Sequence, residues 1–200
     1  MTTTMKRKMN VPISVDIPFS TRWIDGFIAL KCATDLLALY PNAKEITESM
    51  AVFGALRKFK PDYPAILYDP TVICLCPGDG RQPRTAALAA FRSCWSVVSI
   101  DPIATQCFRA DRLRYEPHLV EDIPDMERAG RTVVVLSTHS HASLNNLVRK
   151  IIRPKALLVV ALECCVPMAI DGVSRPRRIQ SRKHHQTMAT TRQQGAGASR

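Results

Sequence analysis

The chain has 200 residues, 46% of them hydrophobic, and a formal net charge of +11 at pH 7. This length and composition predict one domain with a sizeable core. No apolar run approaches the roughly 18 residues of a membrane span, and none resembles the apolar part of a signal peptide, so we expect no membrane association.

The positive charge belongs to the two ends of the chain. Ten of the 28 basic residues lie in Lys6–Lys8 and Ser174–Arg200, which contain no acid, and 18 basic residues face the 17 acids in between. We therefore predict a flexible basic arm at residues 1–18, one folded domain at 19–173 and a disordered basic tail at 174–200. The tail's arginines would suit the phosphates of RNA, or equally a protein partner in a larger assembly.

The seven cysteines show no regular metal-binding spacing. They indicate a reducing intracellular compartment, either the cytoplasm, the nucleus or an organelle, rather than a disulfide framework.

Two helices are predicted before the centre of the chain. Ser20 or Thr21 can cap the first, which runs through Leu39. Asn42, followed by Glu45, resembles a capping box and starts the second, which should end near Phe59. A linker, Pro61–Pro70, follows.

The stretch Thr71–Pro102 predicts a strand, a glycine turn, a helix and a second strand. Thr71–Cys76 is a buried strand that Gly78, Asp79 and Gly80 interrupt, and Pro83 can open the helix because a first-turn position has no amide bond to lose. The second strand, Trp95–Ile100, ends at Asp101. This order is typical of a nucleotide-type cofactor site, in which a carboxylate after the second strand accepts hydrogen bonds from ribose hydroxyls.

The second half of the chain continues the alternation. We predict a crossover helix at Ile103–Arg112, strands at His118–Val120, Thr132–Ser137 and Ala156–Glu163, and a helix at Ser143–Ile152. The strands read as buried on both faces, which favours an α/β, Rossmann-like three-layer sandwich with a mainly parallel sheet of about five strands.

With this order of elements, the chain resembles the class I S-adenosylmethionine-dependent methyltransferase superfamily. Gly78 and Gly80 of Cys76–Gln82 (CPGDGRQ) match its glycine motif, while Cys76 replaces an acid and Gln82 a third glycine. Asp101 matches the acid that holds the ribose, and Asp122 resembles the residue that meets the adenine amino group. Ser137–His141 occupies the place where many members carry catalytic residues.

The resemblance implies S-adenosylmethionine as the cofactor, and its candidate binding residues are Gly78, Asp79, Gly80, Asp101, Asp122 and Ser137. His139 is the candidate catalytic base, because an imidazole accepts a proton near neutral pH. Only Cys164–Val173 separates the fifth strand from the tail, so the family's closing antiparallel hairpin is expected to be missing. The chain therefore looks like a trimmed or divergent member.

Other functions remain open from the sequence. One is a catalytically inactive module that serves as a binding or assembly subunit. Another is an NAD(P)-dependent oxidoreductase, although Pro83 stands where its glycine fingerprint needs a third glycine. His139 and His141 are spaced like part of a hydrolase metal motif, but Ser143 and Leu144 replace the remaining ligands, so we predict no metal site.

Overall fold

The computed structural model describes residues 21–58, 63–162, 179–180, 185–186 and 188–194. Its helices are α1 (Thr21–Ile28), α2 (Ala33–Leu37), α3 (Ala43–Ala55), the 3-10 turn Leu56–Lys58, α4 (Tyr63–Tyr68), α5 (Arg84–Arg92) and α6 (Leu144–Lys150). Its strands are β1 (Ile73–Pro77), β2 (Ser96–Ile100), β3 (Leu113–Glu116), β4 (Met126–Glu127), β5 (Thr132–Thr138), β6 (Ile151–Ile152), β7 (Ala156–Leu162), β8 (Ile179–Gln180), β9 (His185–Gln186) and β10 (Met188–Gln194).

Six strands form one sheet in the order β10-β7-β5-β1-β2-β3. The five strands from β7 to β3 are parallel to one another, and β10 runs antiparallel to β7. The short strands pair separately, β4 with β6 and β8 with β9. The predicted α/β fold with a mainly parallel sheet is confirmed.

Helices cover both faces of the sheet because alternate residues of each strand point to opposite sides. Cys74 and Cys76 of β1 join one buried cluster, to which α3 and α5 contribute. Ile73 and Leu75 join another, with Leu144 of α6. Trp95 anchors the first face: it is fully buried, packs on Phe53 of α3 and donates its indole N–H to the carbonyl of Ile66.

The N-terminal region agrees with the sequence in part. The side chain of Asn42 accepts from the amide of Glu45 and starts α3, as predicted. The first predicted helix is interrupted between α1 and α2, because Leu30 and Ala33 donate to carbonyls three residues back and tighten the chain. The predicted linker Pro61–Pro70 contains helix α4.

Two predictions between β2 and β5 are wrong. No helix forms at Ile103–Arg112, because backbone groups there bond to neighbouring loops: the Ile103 amide donates to the Asp101 side chain and the Thr105 amide to the Arg81 carbonyl. The third strand is β3 rather than His118–Val120, which lies in a turn. Charged Arg114 and Glu116 alternate with Leu113 and Tyr115, the pattern of a half-buried edge strand.

The later elements match more closely. The fourth and fifth predicted strands correspond to β5 and β7, although Glu163 lies outside the described residues. Ser143 caps α6 by accepting from the amide of Asn146. Within the part of the chain that the structure describes, no helix combines the length and the apolar character that a membrane crossing needs.

The chain carries a closing antiparallel strand that the sequence analysis expected to be missing. Met188–Gln194 lie within the predicted disordered tail, yet they pair along β7 over seven residues, from Met188 opposite Leu162 to Gln194 opposite Ala156. Backbone hydrogen bonding stabilises this strand, and polar composition did not reveal it because an edge strand needs few apolar side chains. The arm predicted at residues 1–18 lies outside the described residues.

Removing β10 should destabilise the domain. Deleting residues 188–200 leaves the edge of β7 unpaired, and we expect the free energy of unfolding to fall by about 2 kcal/mol and the melting temperature by roughly 4–8 °C. Deleting only residues 195–200, which follow β10, serves as the control and should change neither. Equal melting temperatures for both deletions, measured by calorimetry, would contradict the pairing of β10 with β7.

Candidate functional site

The candidate site lies where the strand order of the sheet reverses. After β1 the chain adds β2 and then β3 on one side, and it later returns to place β5 on the other side of β1. In open parallel sheets, ligands bind in the crevice outside the carboxyl ends of the strands at such a point. The residues that follow β1, β2, β3 and β5 therefore define the site.

The turn after β1 requires glycine at its first position. Gly78 has φ +64° and donates its amide to the carbonyl of Ile100 at 2.7 Å. A Cβ at Gly78 would lie 2.1 Å from the hydroxyl oxygen of Ser140, in the loop after β5. The two loops are therefore packed together so closely that no side chain fits between them. Gly80 also has a positive φ, of 76°.

Asp79 lies between these glycines and points inward rather than into the cleft. Its carboxylate is buried and accepts hydrogen bonds from the amides of Thr85 (3.0 Å) and Ala86 (2.9 Å) in the first turn of α5. The residue before α5, Pro83, makes no side-chain capping bond, so Asp79 satisfies amides that the helix cannot bond itself. Burial raises the pKa of Asp79 to about 6, against the lowering effect of the two backbone bonds.

Asp101 follows β2, as the sequence predicted, and connects two loops. One carboxylate oxygen accepts from the amide of Gly80 at 2.9 Å, and the other accepts from the amide of Ile103 at 3.0 Å. Its own amide donates to the carbonyl of Glu116 at the end of β3. Asp101 therefore holds the glycine turn in register with the ends of β2 and β3.

The structure does not place Asp122 at the end of the third strand. Asp122 is exposed in a turn six residues after β3, where its amide donates to the carbonyl of Leu119. The polar groups that do stand at the end of β3 are Glu116 and His118, whose Oε1 and Nδ1 atoms lie 2.6 Å apart. The sequence analysis did not identify this pair, because it interpreted the apolar run around Val120 as the third strand. In the structure that run forms a buried turn.

The two residues predicted after β5 differ in exposure. Ser137 is fully buried within β5, so its hydroxyl does not face an open cleft. His139 follows the strand with φ +52°, and its side chain is 26% exposed. The Nε2 atom of His139 lies 2.6 Å from Oε2 of Glu48, a carboxylate of α3 that is almost completely buried.

Helix α3 reaches both sides of the cleft. Glu45, one turn before Glu48, forms an ion pair with Arg84 at the start of α5, with 2.7 Å between Oε2 and Nη1. The hydroxyl of Tyr40 donates to the backbone carbonyl of the same Arg84. The sequence analysis named Glu45 only for the capping box and did not name Glu48, since their neighbours in the helix pattern predicted only core packing. Among the described residues, no group of three or more His, Cys, Asp or Glu side chains could hold a metal ion.

Comparison with known proteins adds little to this picture. No family model matches the chain, and no curated protein matches it in sequence. A solved structure of a candidate S-adenosylmethionine-dependent methyltransferase from Listeria monocytogenes is 17% identical, with a TM-score of 0.37, over 68% of this chain and 76% of that one. Another such candidate, from Methanococcus maripaludis, is 15% identical, with a TM-score of 0.40, over 74% of this chain and 67% of that one. Likeness at this level carries no information about the activity of this chain.

The contact between Gly78 and Ser140 predicts that no larger residue is tolerated at position 78. Gly78→Ala should lower the free energy of unfolding by about 2–4 kcal/mol, because the new Cβ meets Ser140 in addition to the strain of a positive φ. Gly130→Ala is the matched control: Gly130 has φ +74°, but a Cβ there meets nothing within 4 Å. It should cost only about 1–2 kcal/mol in urea unfolding. Adding Ser140→Gly should recover part of the loss in Gly78→Ala, and equal costs for the two alanine variants would refute the contact.

The buried carboxylate of Asp79 predicts a dependence of stability on pH. Its pKa is about 6 in the folded state against a usual value of 3.8, so the folded chain binds this proton more tightly than the unfolded chain does. Its contribution to the free energy of unfolding is therefore greatest below pH 4 and falls by up to about 3 kcal/mol as the pH rises through 6. Asp79→Asn removes this titration, so its stability relative to the wild type should rise between pH 4 and pH 7.

The measurement is urea unfolding at several pH values, with Asp125→Asn as the control in an exposed position. A stability difference between Asp79→Asn and the wild type that stays constant over this pH range would show that Asp79 titrates as an ordinary carboxylate.

Proposed function

We propose that this chain binds S-adenosylmethionine in the crevice at the carboxyl ends of β1 and β2 and acts as a methyltransferase-like protein. The proposal draws on the strand order, the glycine turn and the position of Asp101. The observation that carries it is the bonding of Asp79, because that bonding determines which charge the turn can accept.

The start of α5 is already bonded to a carboxylate. A dinucleotide cofactor needs the amides of this helix N-terminus for its pyrophosphate. Here Asp79 takes up the amides of Thr85 and Ala86, and its charge would repel a phosphate at the same place. This bonding disfavours the NAD(P)-dependent oxidoreductase and favours a cofactor without phosphate that carries positive charge.

The groups that remain around the crevice suit a nucleoside with ribose hydroxyls. Each oxygen of Asp101 accepts one backbone N–H, and a carboxylate offers about four acceptor positions, so both oxygens can still accept from hydroxyl groups. Glu116 and His118 lie at the end of β3, where the sequence analysis expected Asp122. We assign the ribose to Asp101 and the base edge to the Glu116–His118 pair.

When bound, S-adenosylmethionine would supply an electrophilic methyl group, whose carbon–sulfur bond electrons return to sulfur as the acceptor's lone pair attacks. The chain's own task is to place that acceptor and to take its proton if it carries one. His139 is suited to this step because it follows β5 and keeps a quarter of its side chain exposed. The nature of the acceptor stays a proposal: the basic arm and tail would favour RNA, whose phosphates they could contact.

Calorimetric titration tests the cofactor. The wild type should bind S-adenosylmethionine and S-adenosylhomocysteine but not NAD. Asp101→Ala should weaken binding by about 1.5–3 kcal/mol, because charge-assisted hydrogen bonds to the ribose are lost. Asp122→Ala and Asp125→Ala are the controls, and both should bind as the wild type does.

Three results would decide between the candidate functions. Binding of NAD in place of the methyl donor would establish the oxidoreductase. Binding of neither would leave the inactive binding or assembly module. Wild-type affinity in Asp101→Ala, with the fold intact by circular dichroism, would place the ribose elsewhere.

A further inference from the structure

We infer that Glu48 is a positioning residue for His139: its carboxylate holds the imidazole by Nε2 and so makes Nδ1 the nitrogen that receives a proton from the methyl acceptor. This inference rests on the proposed function, since it assigns a role within methyl transfer at this crevice. Neither the sequence pattern nor the resemblance singled out Glu48.

The contact is close and lies at the edge of the crevice. Oε2 of Glu48 is 2.6 Å from Nε2 of His139, the separation of an ion pair. The ring N–H is not aligned on this oxygen, and a small rotation of the imidazole would complete a charge-assisted hydrogen bond. The next residue along the chain, Ser140, touches Gly78 of the glycine turn. The imidazole is therefore attached to the loop that borders the cofactor turn, and α3 fixes it from the opposite side.

Burial makes this contact important for Glu48. The Glu48 side chain is only 4% exposed, and a buried carboxylate is costly unless a positive or donating group compensates it. The Nζ atom of Lys44, one turn earlier, lies 3.7 Å from Oε1 of Glu48. Because 46% of the Lys44 side chain is exposed, this ion pair is weak. The contact with His139 is shorter, and a proton on Nε2 would compensate the buried oxygen.

The backbone of His139 supports the same assignment. A φ of +52° is unfavourable for a residue other than glycine, and such strain persists only where surrounding contacts hold it. In this conformation the His139 side chain does not follow the alternating side-chain directions of β5 and instead contacts α3. The fold therefore maintains an unfavourable backbone conformation at the residue that we assign as the base.

The chemical consequence follows from the tautomer. If Nε2 carries the proton that it shares with Glu48, neutral His139 has its lone pair on Nδ1. As the acceptor attacks the methyl carbon, its proton passes to Nδ1, and the imidazolium that forms is stabilised by the carboxylate on its other side. Glu48 touches neither cofactor nor acceptor, and it acts only through His139.

Nitrogen NMR of the histidine side chains in the full-length chain tests the inference without an identified acceptor. His139, assigned by its loss in His139→Gln, should show Nε2 protonated and Nδ1 unprotonated above neutral pH. Glu48→Met keeps the length of the side chain but removes the acceptor, so the resonances of His139 should move to those of a mixture of tautomers. Glu48→Gln retains an acceptor oxygen and should restore most of the wild-type pattern.

Glu45→Gln is the matched control, because Glu45 lies on the same helix but pairs with Arg84; it should leave His139 unchanged. If Glu48→Met fails to fold, the wild-type spectrum can still refute the inference, since a protonated Nδ1 would overturn it. A His139 pattern that Glu48→Met does not alter would overturn it as well.

Titration with S-adenosylmethionine separates this inference from the proposed function. Glu48→Gln should bind it within about twofold of the wild type. A wild-type chain that shows the expected tautomer but binds no S-adenosylmethionine would refute the proposed function alone.

Discussion

The bonding of a buried carboxylate to the start of a helix determines the shape of the crevice. Helix α5 follows a proline that offers no capping side chain, and Asp79 supplies the missing acceptor from six residues before Thr85. To reach that far, the chain must fold back tightly after β1. The positive φ angles of Gly78 and Gly80 allow this reversal, and Asp101 fixes it by accepting from the Gly80 amide.

Helix α3 connects the two sides of this crevice. Its first turns carry two acids three residues apart, which lie on one face of a helix. Glu45 pairs with Arg84 at the start of α5, while Glu48 meets His139 after β5. A displacement of α3 would therefore move the turn after β1 and the loop after β5 together. Helix α3 therefore holds the two sides of the site in place in addition to covering the core.

The parts of the fold that the sequence predicted are those whose signal is local. Continuous apolar runs identified β1, β5 and β7, because a strand that is buried on both faces is apolar at successive residues. Asn42 with Glu45 identified the start of α3, because capping depends on residues that are close in sequence. Asp101 was placed correctly since it directly follows a strand. Such signals depend on few long-range contacts.

The failures have a common physical cause, which is bonding to distant partners. The segment after Asp101 reads as a helix, yet its amides bond to the Asp101 side chain and to Arg81. Asp122 was misplaced because Val120 and Ile123 pack into a core cluster as a turn. The sequence analysis did not single out Glu48 and expected Asp79 to bind the cofactor. Only tertiary contact shows that Glu48 meets an imidazole and that Asp79 bonds to the start of a helix.

The pairing of β7 with β10 has a consequence for the solubility of the protein. Strand β7 consists only of apolar residues (ALLVVAL), and one of its edges is covered by a strand that begins 26 residues later, at Met188. Whenever β10 is detached, β7 presents a bare, apolar strand edge of the kind that joins with other chains. The polar segment that closes the sheet thus also protects the protein from aggregation.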